Sequence, residues 1–263
     1  MLGIEATVEI LGSYCGCAGL LEYSESDTEI GFQAPTPIKD PQTGIFRSQA
    51  TIFNELAISH RLSMWAGRRK YGFPDDFTFA IKSILATVQS INPVEYYDVS
   101  LRLEVMSERH SVVTTLKSIL ITRYGGESRT IITTFNILPP SLVNFVRRAR
   151  KFSDFLDIGI GRDESYLSPV TDNNFKYFPS EGDRLSDGKR VDHVPALILI
   201  DIALFANRMA NPGATHSDVS AEFLNYADPR LPFDIFLKQD HSSVEFVQNG
   251  QLVATVHDRT LSA

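Results

Sequence analysis

Two cysteines among 263 residues are too few to staple a fold, so no disulfide scaffold is expected and a reduced, cytoplasmic setting follows. Long apolar runs are missing as well. None approaches the roughly 18–20 residues of a membrane span, which argues against a membrane partner. Positive charge is scarce: 25 Lys+Arg against 32 Asp+Glu leave a net charge of −7, and the scattered basic residues disfavour nucleic-acid binding. No His or Cys set has metal-ligand spacing. Cys15-Gly16-Cys17 places two thiolates one residue apart, a pair that cannot complete a four-ligand zinc site by itself. The surrounding Leu11–Leu21 is apolar, but Glu5 and Glu9 precede it without Lys or Arg, so the basic start of a signal peptide is lacking. A phosphate loop is absent too, since Gly159-Ile160-Gly161-Arg162 lacks the third glycine and follows no strand. No Gly-x-Ser-x-Gly elbow exists to support a serine hydrolase.

What is present is a chain with 43% hydrophobic residues, long enough to bury a large core. Glu5–Leu11 reads as a strand and Glu22–Glu29 as a polar stretch. Pro35, Pro37 and Pro41 then break the backbone ahead of a helix over Gln49–Lys70, with Ile52, Phe53, Leu56, Ala57, His60 and Met64 on one face. Gly72 and Pro74 end it. Period-two alternation predicts four strands, Phe77–Gln89, Tyr96–Ser107, Ser111–Arg123 and Arg129–Leu138, the last pair turning at Gly125-Gly126. After Pro139-Pro140 a linking helix is expected over Ser141–Phe155, carrying Arg147, Arg148, Arg150 and Lys151. A strand around Asn173–Pro179 and a helix over Pro195–Ala210 come next, the helix stopping at Asn211-Pro212-Gly213. Four further strands are predicted at His216–Tyr226, Pro232–Gln239, Ser242–Val247 and Gln251–Arg259, with Asn249-Gly250 as a hairpin turn.

The order strand, helix, four strands therefore occurs twice. A long helix followed by an antiparallel meander buries its apolar surface when the sheet curls around the helix, which is the hotdog arrangement. The fold class expected is α+β, a tandem double hotdog with modules over residues 1–150 and 151–263, paired edge to edge as a monomeric pseudo-dimer or assembled as a homodimer. The second helix fits this arrangement well. From Val194 to Ala206 nearly every residue is apolar, and a helix apolar all round is one surrounded by protein.

Asp201 is the one charged residue of that helix before Arg208. Removing a carboxylate from water costs several kcal/mol, so Asp201 must be partnered, neutralised or placed at a wet cleft. A hydrogen-bonded core aspartate and a site carboxylate with raised proton affinity both satisfy that demand. His193 lies at the helix entrance in Asp192-His193-Val194-Pro195, where free backbone amides can also hold an anion.

The stretch Asp192-His193-Val194-Pro195-Ala196-Leu197-Ile198-Leu199-Ile200-Asp201-Ile202-Ala203 resembles the D-H-V-P-G-M-x-L-L-E-A signature of the A-factor biosynthesis hotdog family, the AfsA-type γ-butyrolactone synthases of actinobacteria. Tyr71-Gly72-Phe73-Pro74 is similar to the G-V-P after that family's first helix. The resemblance implies an enzyme acting on acyl-thioesters. Family members transfer a β-ketoacyl group from acyl carrier protein to the hydroxyl of dihydroxyacetone phosphate. By position, His193 matches the motif histidine and Asp201 the helix glutamate, one methylene shorter. Several family positions differ: Leu204 and Phe205 stand for an Arg-Gln pair, Ala196 for a glycine, and Gly188-Lys189-Arg190 for an upstream Asp-His. In the first helix the family's acid and Arg-Gln are echoed by Glu55 and by His60-Arg61.

The function expected is transfer of an acyl group from acyl carrier protein or coenzyme A to a small hydroxyl acceptor. The thioester is the substrate and no separate cofactor is called for. Asp201, or Glu55 in the other half, would take the proton of the attacking hydroxyl, and His193 or the helix-entrance amides would stabilise the oxyanion. His60, Arg61, Asp192 and Trp65 are the candidate substrate-binding residues, against plainer readings of Trp65 as core filler and of Glu55 and Ser59 as a solvated helix face. A dehydratase or thioesterase, and a non-catalytic acyl- or lactone-binding module, stay open as alternatives.

Overall fold

A computed structural model describes residues 21–26, 29–35, 51–109, 112–150, 167–179, 194–212, 215–229, 231–238 and 242–261. The expected strand at Glu5–Leu11, Cys15, Cys17, the glycines near 160 and Gly188-Lys189-Arg190 lie outside these residues, as do Lys151 and the side chains of Arg147, Arg148 and Arg150. The elements are β1 (Leu21–Glu25), β2 (Glu29–Ala34), α1 (Thr51–Tyr71), β3 (Thr78–Arg109), β4 (Val112–Leu138), α2 (Pro140–Arg150), β5 (Leu167–Thr171), β6 (Asn174–Tyr177), α3 (Ala196–Ala210), β7 (Thr215–Phe223), β8 (Phe233–Leu237), β9 (Ser243–Gln248) and β10 (Gln251–Leu261). They form two compact units that part between Pro140 and Ser141, with the first residues of α1, Thr51–Phe53, grouping with the second unit and Asn54–Tyr71 with the first.

In the first unit β1 pairs with β2, β2 with the second part of β3, and β3 with β4, all antiparallel. The sheet curls around α1. Trp65 packs on Phe32 of β2, Gly67 meets Phe79 of β3, and Ser63 and His60 meet Ser118 and Phe135 of β4. α1 ends at Gly72, whose positive φ of 65° closes the last turn with a hydrogen bond from its N–H to the Arg68 carbonyl, 2.9 Å.

Two expectations are corrected here. The polar stretch Glu22–Glu29 holds most of β1 and the first residue of β2, which pair antiparallel, with Ile30 and Phe32 of β2 buried beyond it. The four strands predicted between Phe77 and Leu138 are two long ones. β3 and β4 run through the expected breaks as a continuous ribbon, with the register shifting between Ser90 and Val94 and again between Val94 and Asp98. Pro93 offers no N–H to a ladder, and Gly125 has a positive φ of 55°, so the ribbon bends there without ending.

The second unit carries the strand order β7-β10-β9-β8-β6-β5, and α3 packs against β7, β9 and β10. Asn249 and Gly250 both have positive φ, 52° and 73°, as the expected two-residue hairpin requires. The buried Gln248 holds the loop after β7. Its Nε2 donates to the carbonyls of Asp228 and Leu231, and its Oε1 accepts from the Asp228 N–H. The same loop accepts the Val194 N–H at the Ala227 carbonyl, 3.1 Å, and so ties down the entrance of α3.

By pairing, the units correspond in most elements, although β9 pairs with β10 whereas the two parts of β4 lie on one unbroken strand. β1, β2 and α1 match β5, β6 and α3. The first and second parts of β3 match β7 and β8, and the two parts of β4 match β9 and β10. The fold is α+β, a tandem double hotdog.

Gly67 lets α1 approach the sheet. A Cβ there would stand 2.9 Å from the Phe79 ring, which is itself packed by Phe73 and Phe135 and has no room to swing aside. Gly67→Ala is therefore expected to destabilise the protein by about 1–3 kcal/mol through overpacking, measured as a lowered midpoint in urea unfolding.

Candidate active site

A helix wrapped by a sheet has little wet surface, and α1 carries polar residues into its surroundings. Glu55, Ser59 and Ser63 recur every four residues and share one face. All three are buried, Glu55 at 7% exposure and Ser59 at 0%, whereas His60 and Met64 are only half-buried. The solvated-face reading of Glu55 and Ser59 is thus overturned. The sheet closes over that side of the helix as well as over its apolar stripe.

Glu55 is the centre of this polar seam. Thr122 Oγ1 donates to Glu55 Oε1 at 3.0 Å, and Arg129 Nε lies 3.0 Å from Oε2 without the alignment of a hydrogen bond. Arg129 is shared with Glu127, whose Oε2 accepts from its Nη2 at 2.9 Å. Burial raises the Glu55 pKa from 4.5 to about 7, against the Arg129 charge and the Thr122 hydrogen bond that both lower it, with the Glu127 charge adding slightly to the rise. Desolvation wins because a poorly aligned guanidinium shared with a second carboxylate restores only part of what water supplied. A carboxyl of this kind changes protonation near neutral pH and suits general acid–base work.

The other predicted residues fall as follows. His60 stacks on Phe135, ring centroids 5.8 Å apart, and Arg61 beside it is half-buried; both have interaction partners. Trp65 is buried, edge-on to Phe32 at 5.9 Å, with the Arg69 guanidinium 5.1 Å over its ring, so packing engages it fully. In the second unit Asp201 has 0% exposure on α3 and is not without a partner. The carboxylate anticipated inside an apolar helix is indeed enclosed. His193 and Asp192 lie outside the described residues. Asn207, one and a half turns beyond Asp201, donates from Nδ2 to Asp258 Oδ2 at 2.6 Å, both residues buried. A cleft of about 670 Å³ opens between the β5–β6 turn and the end of α3, lined by Asp172, Phe175 and Met209 among others, and neither Glu55 nor Asp201 reaches it. Among the described residues no three His, Cys, Asp or Glu side chains gather to hold a metal ion, and no helix is long and apolar enough to cross a membrane.

Thr122, Arg129 and Asp258 were missed from sequence, yet a signal for each was there. Arg129 is in phase with Ile131, Thr133, Phe135 and Ile137, Thr122 with Leu116, Ser118 and Leu120, and Asp258 with Ala254 and Val256. Each polar residue extends an inward-facing row.

No family model matches the chain, and no curated protein matches it by sequence. Solved structures do. The 12:0-ACP thioesterase from Umbellularia californica shares 12% identity over 91% of this chain and 99% of its own, with a TM-score of 0.50. An acyl-ACP thioesterase from Bacteroides thetaiotaomicron is similar at 13% identity, over 91% of this chain and 100% of its own, TM-score 0.49. A dehydratase domain from the CurK module of curacin polyketide synthase matches at 13% identity, over 94% and 96%, TM-score 0.43. At such identity the likeness is one of fold, and the Umbellularia structure carries it: the hotdog architecture is common to both chains.

Between the ordinary carboxylate pKa near 4.5 and the raised value of about 7, the folded protein holds a proton on Glu55 that the unfolded chain has released. Stability conferred through this group therefore falls as pH rises across that window, by on the order of 3 kcal/mol in total. Glu55→Gln carries no such proton. Urea unfolding of the two proteins at pH 5 and pH 8 should show the variant gaining on the wild type by roughly that amount, and equal pH dependence would contradict the assignment.

Proposed function

We propose that the protein is a hotdog enzyme acting on acyl-thioesters, with Glu55 as its general base. The observation that carries this reading is a carboxyl group buried in the polar seam of a sheet-wrapped helix, hydrogen-bonded by Thr122 and titrating near neutral pH. In the unprotonated form Glu55 takes the proton from an attacking hydroxyl. The oxygen bonds to the thioester carbonyl carbon, the carbon–sulfur bond breaks, and the departing thiolate takes the proton back.

Within this class we propose acyl transfer from acyl carrier protein or coenzyme A to a small alcohol. The D-H-V-P signature at Asp192–Pro195 supports that choice through its resemblance to the γ-butyrolactone synthases. Hydrolysis, the reaction named for the Umbellularia protein, differs only in that water replaces the alcohol, so one base serves both. Asp201 with His193 forms the corresponding candidate pair in the second unit.

The test is incubation with acyl-coenzyme A and acyl-carrier-protein thioesters, with and without dihydroxyacetone phosphate, followed by mass spectrometry. An ester product supports transfer, a free acid hydrolysis, and loss of water from a 3-hydroxyacyl thioester dehydration. Binding without turnover favours a non-catalytic acyl-binding module. With Glu55 as base, Glu55→Gln is expected to lower kcat/KM about 100-fold or more. The wild-type rate should rise with pH to a plateau above about 7, while Asp201→Asn, if folded, stays within about threefold. The reverse ranking moves the chemistry to the second unit.

A further inference from the structure

Along α1 the buried polar side chains are not equally satisfied. Ser63 donates to the Ser59 carbonyl at 2.6 Å and shares a hydrogen bond with Ser118 Oγ at 2.5 Å. Glu55 receives Thr122. Ser59, one helical turn from each, has a fully buried Oγ with no hydrogen-bond partner. The geometry explains why. From Glu55 to Ser63 the helix rises about 12 Å, and from Thr122 to Ser118 the strand covers about 13–14 Å. Helix and strand thus run side by side through this stretch. Ser59 falls midway, level with Leu120, a buried residue with no polar side-chain atom.

A buried hydroxyl left without a partner costs stability that alanine at the same position would not. The Ser59 side chain also forgoes its own helix as an acceptor, which Ser63 does not. It shares the face of Glu55 at a distance of about 5–6 Å between Cβ atoms.

We propose that Ser59 Oγ is an oxyanion donor of the Glu55 site, giving its hydrogen bond to the thioester carbonyl oxygen as negative charge develops there. This rests on the reading of Glu55 as the base. As the attacking oxygen adds to the carbonyl carbon, the C=O electron pair moves onto oxygen and the Ser59 O–H holds it. When the carbon–sulfur bond breaks, the pair returns and the ester or acid leaves. No other reactant is needed. A donor already in place inside a dry site acts without reorganisation, and its removal should cost the transition state more than the ground state.

The experiment uses the full chain with octanoyl-coenzyme A and palmitoyl-coenzyme A, each with and without dihydroxyacetone phosphate as acceptor, following release of free thiol, and compares wild type, Ser59→Ala, Ser59→Cys and Glu55→Gln. Ser59→Ala is expected to lower kcat about 100-fold with KM within about threefold, and its thermal midpoint should equal or exceed that of wild type. Ser59→Cys keeps the volume but supplies a weak donor, and should fall in between. A full rate in Ser59→Ala while Glu55→Gln is impaired overturns the Ser59 assignment and leaves the Glu55 reading standing. A rate loss accompanied by a lower thermal midpoint in both Ser59 variants assigns the residue to structure and overturns it equally. A full rate in Glu55→Gln, or no thiol release from either thioester by wild type, removes the reading of Glu55 and the Ser59 donor with it.

Discussion

A sheet that curls around a helix covers most of it, so the polar residues on the covered faces must be satisfied inside the protein or stand unsatisfied at a cost. That constraint governs both units. α1 carries Glu55, Ser59 and Ser63 into the interior, and α3 carries Asp201 and Asn207. The answering polar residues come from inward positions of the strands: Thr122, Ser118 and Arg129 in the first unit, and Asp258 in the second. Remove the enclosure and Glu55 would be an ordinary surface carboxylate with an ordinary affinity for protons. Its raised pKa is a property of the sheet as much as of the side chain.

The correspondence of the two units shows how one topology tolerates different sequences. Where the second unit spends a loop between β7 and β8, held by Gln248, the first bends an unbroken β3 around Pro93. Where the second turns tightly through Asn249-Gly250, the first carries β4 on through Gly125. Most pairing partners recur in both halves although the connections do not, because ladder hydrogen bonds constrain neighbours more tightly than links. The interior polar groups have diverged further. Glu55 with Thr122 and Arg129 is a charged, imperfectly aligned cluster, while Asn207 and Asp258 form a close hydrogen bond.

Within the first unit the functional reading and the packing reading meet at neighbouring residues. Trp65 and His60 have aromatic partners and Ser63 has two hydrogen-bond partners. Glu55 Oε2 and Ser59 Oγ are left without a hydrogen bond, as are Asn207 Oδ1 and Ser243 Oγ in the second unit. A buried polar atom left so is a cost without structural return.

Much of the architecture was legible in the amino-acid order. Local periodicity specified α1 and α3, the last four strands and the Asn249-Gly250 turn, because each depends on residues near in sequence and on backbone preferences. The charge of Asp201 amid apolar neighbours likewise announced its burial. The β1–β2 hairpin escaped notice because two short strands with one inward face leave few residues on which to read a period, and the fusion of four strands into two because proline and glycine mark a bend and an end alike. What only the tertiary structure decided is the state of the polar face of α1. Helical spacing placed Glu55 and Ser59 together, but burial, the Thr122 and Arg129 contacts and the lone hydroxyl of Ser59 arise from strands more than sixty residues away, and no local pattern encodes how far a sheet will curl.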